Sequence, residues 1–276
     1  MLIASEGKTE AVMSAKRVLA IAALALAWLA AAGLQTPARA QAPSAGVVDI
    51  ALVLAADVSR SINADEFDLQ RQGYASAISS ADVVKAIRAG SHGVIAVTFV
   101  EWSGSTEQQI VVDWQLIKDA DSAKKFADTL LAQPRAFYGR TSISAALDFA
   151  MSRLQQAGVK AERRVIDVSG DGTNNAGRSL DDARAAALAA GVTINGLAII
   201  NERNEMFGGF SGHTQPPGGL PNWYKENVIG GPGAFLLVVS DFESFGEAMT
   251  NKLLNEIASA PPSTMFALKP STSPAE

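Results

Sequence analysis

The nine residues VVDIALVLA (Val47–Ala55) constrain this chain more than any other stretch. All but Asp49 are branched or small apolar side chains. A strand with one wet face alternates apolar and polar residues. A run that is apolar at consecutive positions must be covered on both faces, as in a parallel sheet with helices above and below. The rest of the chain keeps that rhythm. Apolar runs recur as GVIAVTFVEW (93–102), RRVIDVSG (163–170), VTINGLAII (192–200) and GAFLLVVS (233–240). Between most of them lie stretches with helical spacing. ADEFDLQRQGYASAISS (64–80) puts Phe67, Tyr74 and Ile78 on one face and Asp65 and Glu66 in its first turn. ADVVKAIRAG (81–90) stops at a glycine, and helices are also expected at DADSAKKFADTLLAQ, ISAALDFAMSRLQQAG, SLDDARAAALAAG and DFESFGEAMTNKLLNEIAS. One pair of runs, 93–102 and EQQIVVDW (107–114), is joined by only SGST. A connection that short permits an antiparallel hairpin and no parallel crossover. The expected fold is α/β: a doubly wound, mostly parallel six-stranded sheet with one antiparallel edge strand and helices on both faces.

The first run ends in Asp57, Ser59 and Ser61, three oxygen-bearing side chains at alternate positions. A strand end that turns can bring three such groups to one point. In open α/β sheets, ligands bind outside the carboxyl ends of the strands, where strand order reverses. Two other loops carry matching chemistry. VSGDGTNN places Asp171 just after a strand, and YGRTSIS offers Thr141 before a helix. Hydroxyls and carboxylates without a soft ligand suit a hard cation such as Mg2+, with Mn2+ or Ca2+ as the other choices. The candidate ligands are Asp57, Ser59, Ser61, Thr141 and Asp171. Each has a plainer reading beside it. Asp57 and the serines could be a helix-capping turn, Thr141 the N-cap of the next helix, and Asp171 a turn residue.

Composition narrows the rest. The formal charge is −5 and there is no basic tract, which excludes a phosphate-neutralising nucleic-acid surface. The chain has no cysteine, so thiolate metal sites, disulfides and cysteine nucleophiles are excluded together. With two histidines, His92 and His213, no multi-histidine zinc site can be assembled, and both read as loop or surface residues. At the N-terminus, Lys8, Lys16 and Arg17 precede VLAIAALALAWLAAAGL, and Ala38-Arg39-Ala40 follows. This pattern predicts a signal peptide over 1–40, with Met1 or Met13 as start, and a periplasmic or secreted mature chain without a membrane span. Residues 41–46 read as a linker, 47–259 as one domain, and 260–276, rich in Pro, Ser and Thr, as a disordered tail. The segment 201–232 fits no element of the alternation, and connectors of that length are functional or mobile.

The three loops together resemble von Willebrand factor A-type domains with a metal-ion-dependent adhesion site. DVSRS resembles that family's D-x-S-x-S, GRTSISAAL its threonine loop and following helix, and VIDVSGDGTNN its third, aspartate-bearing loop. More narrowly, FVEWSG, SGDGTNN and ENVIGGPGAF resemble a bacterial exported subgroup, DUF1194. The resemblance implies a metal-binding, non-enzymatic module whose ion is completed by a carboxylate from a protein partner. Two features depart from the family: Gly170 stands where a threonine usually precedes the aspartate, and 201–232 is an insertion. A Mg-dependent phosphatase or phosphotransferase using Asp57 is the alternative. That chemistry wants a second acid beside the nucleophile and a lysine for phosphate, and the three loops offer neither. A scaffold with the site unused is the remaining reading. SGDGTNNAG lacks the G-x-G-x-x-G order of a dinucleotide site. Trp102, Trp114 and Trp223 read as core or rim packing residues, with lining the site as the alternative for Trp102, next to Glu101 at a strand end. Arg60 and Arg140, beside the ligand loops, could attract an acidic partner.

Overall fold

The computed structural model describes residues 46–200, 214–240, 242 and 244–258. The expected signal peptide, most of the linker, His213 and the tail lie outside them. The strands are β1 (Val47–Asp57), β2 (Ile95–Trp102), β3 (Gln108–Ile117), β4 (Lys160–Gly170), β5 (Thr193–Ile199) and β6 (Leu236–Val239). The helices are α1 (Ala64–Ser79), α2 (Ala81–Arg88), α3 (Ala120–Leu131), α4 (Ile143–Gln155), α5 (Leu180–Ala189), α6 (Leu220–Asn227) and α7 (Phe245–Ala258). The sheet order is β3-β2-β1-β4-β5-β6, parallel throughout except for β3, which pairs antiparallel with β2 at the edge. This is the expected doubly wound sheet.

β1 is central, and its burial explains its composition. Ile50, Leu52 and Leu54 face one side and Ala51, Val53 and Ala55 the other, each at most 2% exposed. The first side packs on α1, α2, α3 and α7 through Tyr74, Ile78, Ile87, Phe126, Phe245 and Leu253. The second packs on α4, α5 and α6 through Leu147, Ala150, Ala187, Leu220, Tyr224 and Val228. Two apolar faces require consecutive apolar residues, and the sequence supplies them.

Element ends differ from the sequence expectation by a few residues. β3 runs on past Trp114 to Ile117 and β4 starts three residues early at Lys160, because backbone pairing continues where the apolar pattern has stopped. β6 is shorter than its apolar run. A larger difference lies in the glycine- and proline-rich segment, whose second half holds α6. Its buried residues Leu220 and Tyr224, with Val228 just beyond, stand four apart on one face. Pro221 in the first turn suits a helix start.

Candidate metal centre

β1 and β4 run side by side in the same direction, with Ala56 opposite Ser169. From this pair the chain winds outward to β2 and β3 on one flank and to β5 and β6 on the other. The switch point therefore lies between the carboxyl ends of β1 and β4, where such sheets leave a crevice. Asp57 closes β1, and Asp171 directly follows β4.

The first turn folds on Asp57, whose Oδ1 accepts the Ser59 N–H at 2.7 Å. That turn brings the Ser59 and Ser61 hydroxyls within 3.0 Å of each other. The Ser61 hydroxyl then donates to Asp171 Oδ1 at 2.8 Å, across 110 positions of sequence. Asp57, Ser59, Thr141 and Asp171 are all buried. The other two carboxylate oxygens, Asp57 Oδ2 and Asp171 Oδ2, are buried with no hydrogen-bond partner.

Helix capping, the plainer reading of the same residues, falls to their neighbours. Asn63 caps α1, accepting from Glu66 N–H at 3.0 Å while its own N–H donates to Glu66 Oε2 at 2.9 Å. Ser142 caps α4, its hydroxyl accepting the Ala145 N–H. Thr141 is not the α4 cap.

The three loops are stitched to one another. Arg60 N–H donates to Gly139 O at 3.1 Å. Thr141 N–H donates to Asn175 Oδ1 at 3.0 Å, and Asn175 N–H returns to Thr141 O at 2.9 Å. Ser144 N–H donates to Asn174 Oδ1 at 3.0 Å. Arg135, from the loop before α4, donates to Val58 O, Ser59 O and Ile62 O at 2.7, 2.8 and 2.9 Å. Its guanidinium lies over the Tyr138 ring at 4.1 Å. Beneath, Glu101 pairs with buried Arg71 and accepts the Ala136 N–H at 2.9 Å, tying the Arg135 loop to the end of β2. Trp102 does not line the opening. Its side chain is fully buried in the core on the second face of the sheet, while its backbone stands opposite Asp57 in the β1–β2 register. Arg60, Arg140 and Tyr138 stand exposed, with Tyr138 67% accessible.

Sequence reasoning missed Arg135 and Tyr224 and left Asn174 and Asn175 without a role. The asparagine pair after Asp171 was the readable signal, because side-chain amides mimic backbone pairing in irregular loops. Arg135 serves carbonyls, which leave no trace in the sequence.

The electrostatics of the centre are lopsided. Burial, then the nearby Asp171 carboxylate, pushes the Asp57 pKa well above the usual carboxylate range. Burial lifts Asp171 to about 6, against the Ser61 hydrogen bond. Two buried acids keep one unpaired oxygen each, and the nearby Arg135 cation only partly offsets the cost of burying them. This all-oxygen donor set fits a hard divalent cation. A second group, Asp49, His92 and Glu162, gathers at the amino ends of the central strands with ligand atoms within 4.8 Å of one another. There both Asp49 oxygens already accept backbone N–H groups, from His92 and Val94, and His92 pairs with Glu162 at 2.8 Å.

The sheet order, the antiparallel edge strand and the loops at the switch point define a von Willebrand factor A-type fold. Solved structures agree. Proximal thread matrix protein 1 from the mussel byssus, in a structure with a zinc-occupied MIDAS motif, has a TM-score of 0.52 and 16% identity, covering 78% of this chain and 49% of its own. The pilus adhesin SpaC from Lactobacillus rhamnosus GG, in its open conformation, has a TM-score of 0.52 and 13% identity, covering 78% of this chain and 30% of its own. This chain thus spans about half the length of these proteins or less. No curated protein matches it in sequence. The model of the family described as "Protein of unknown function (DUF1194)" matches residues 47–261, and the chain belongs to that family.

Proposed function

We propose that this chain is an exported, metal-dependent protein-binding module. Ser59, Ser61 and Thr141 would hold a divalent cation through neutral hydroxyls, and Asp57 and Asp171 through carboxylates. Mg2+ is the first choice, with Mn2+ or Ca2+ as substitutes. The bound ion supplies an electrophilic centre that takes a carboxylate from a partner. The observation that carries the reading is the pair of buried, unpartnered oxygens, Asp57 Oδ2 and Asp171 Oδ2, converging from different strands at the switch point. Buried polar atoms are rarely left without partners in folded proteins.

The exposed rim of Arg60, Arg140 and Tyr138 suits an acidic partner. The matrix and adhesin names of the two fold relatives fit a binding use. Export rests on the signal-like residues 1–40. No helix among the described residues is long and apolar enough to cross a membrane. The test is association with exported proteins in magnesium, compared with chelator and with Asp57→Ala. Association should be lost in both cases. A partner retained in both refutes the reading, and phosphate-ester hydrolysis abolished by Asp57→Asn would replace it with the enzymatic one.

A further inference from the structure

We propose that the Tyr224 hydroxyl belongs to the base of this centre as a positioning group for the Asp57 carboxylate, and that position 170 is glycine so that the phenol can reach it. The proposal rests on the reading that Asp57 helps to hold a divalent ion.

Four observations converge. Tyr224 is fully buried, yet its hydroxyl has no hydrogen-bond partner, whereas a buried phenol normally finds one. A Cβ on Gly170 would lie 2.7 Å from Tyr224 Oη and 3.0 Å from Asp57 Oδ2. The unpartnered phenol and the unpartnered carboxylate oxygen therefore converge on the same side of one glycine. Gly170 is not among the glycines with positive φ, so backbone conformation does not require it. A glycine at a buried strand position instead marks the close approach of another group. Finally, the ring has a built slot. A Cβ on Gly196 of β5 would meet Tyr224 Cδ1 at 3.3 Å, and Leu220 and Val228 anchor the same helix face in the core.

Packing thus fixes the ring and leaves the hydroxyl as the part with unused capacity. A metal-binding carboxylate is oriented by the hydrogen bonds its oxygens accept beside the ion, and losing such a partner weakens metal binding. Tyr224 would donate to Asp57 Oδ2 directly or across one water. The glycine- and proline-rich segment thereby gains a definite role, since its helix supplies a floor to the site. The same contact accounts for Gly170 as the space-making half of a Gly170–Tyr224 pair.

The test is Mn2+ titration of the full chain by calorimetry, with the metal-free Tm measured in parallel. Tyr224→Phe should weaken Mn2+ binding about 10- to 100-fold. Its metal-free Tm should be unchanged or higher, because the change removes a buried hydroxyl that has no partner in that state. Gly170→Ala should weaken Mn2+ in the wild-type background by pushing on both the phenol and Asp57 Oδ2, and cost less in Tyr224→Phe, where only the Asp57 contact remains. Equal Mn2+ affinity for wild type and Tyr224→Phe overturns the proposal. A fall in metal-free Tm that parallels the affinity also overturns it, since the phenol would then be packing alone. If wild type binds Mn2+ and Asp57→Ala does not, but Tyr224→Phe is unaffected, only this inference fails. If wild type binds no Mn2+, the metal-centre reading fails with it.

Discussion

Asp171→Asn should make the metal-free protein more stable at neutral pH. Asp171 is 1% exposed, and its pKa is raised from the ordinary 3.8 to about 6. Between those values the folded state keeps a proton that the unfolded chain has released, so stability falls as pH rises, and above about 6 the loss is complete. A window of about two pH units, at about 1.36 kcal/mol each, gives about 3 kcal/mol. Asparagine has no charge to bury, and its Oδ1 can still accept from Ser61. Urea unfolding in EDTA, followed by circular dichroism from pH 4 to 8, measures the difference. The variant should match wild type near pH 4 and exceed it by about 3 kcal/mol at pH 7.5. Magnesium should then close the gap from the other side. A ligand at a hundredfold excess over Kd adds about 2.7 kcal/mol, and only wild type would gain it. An Asp171→Asn variant that is less stable than wild type at pH 7.5 in EDTA, or a difference that ignores pH, would rule out a buried charge cost at this carboxylate.

Arg135→Ala should lower stability by about 2–3 kcal/mol, since three carbonyls of the Asp57 turn lose a charged donor, and Mn2+ affinity should fall with it. Thr141→Ala and Ser142→Ala should separate: the first weakens Mn2+ binding more than stability, and the second costs about 1 kcal/mol of stability as a lost N-cap with Mn2+ affinity kept. Lys252→Met should cost about 3–5 kcal/mol in thermal or urea unfolding, because its buried ammonium pairs with Asp167 at 2.8 Å and Glu256 at 3.5 Å. The loss should be smaller near pH 5.5 than at pH 8. Asp167, already raised by burial to about 7, can take up a proton when the cation is gone.

Much of this architecture was legible because burial on two faces writes itself into consecutive residues. β1 announced a covered parallel sheet, and the four-residue SGST link announced the edge hairpin. The centre was legible in its ligands but not in its supports. Asp57, Ser59 and Ser61 share one turn, and the Ser61–Asp171 bond follows once β1 and β4 are neighbours. Thr141 and Ser142 are adjacent hydroxyls before one helix, so spacing alone could not say which of them caps it. Arg135 binds backbone carbonyls and Tyr224 fills space left by a missing side chain, and neither kind of contact constrains a pattern. α6 was hidden because Gly218, Gly219 and Pro221 read as loop, while its buried face is only Leu220, Tyr224 and Val228. Lys252 and Glu256 stand four apart on α7, and that spacing does not say that both are buried against Asp167 and Asn195.

Anomalous diffraction from crystals grown with Mn2+ asks directly whether the three loops cage an ion. One peak should lie between the Asp57 and Asp171 turns, about 2.0–2.3 Å from the Ser59 and Ser61 hydroxyls, with Thr141 facing it and one position open outward. No peak there, or a peak only among Asp49, His92 and Glu162, would mean that these loops do not form a metal centre.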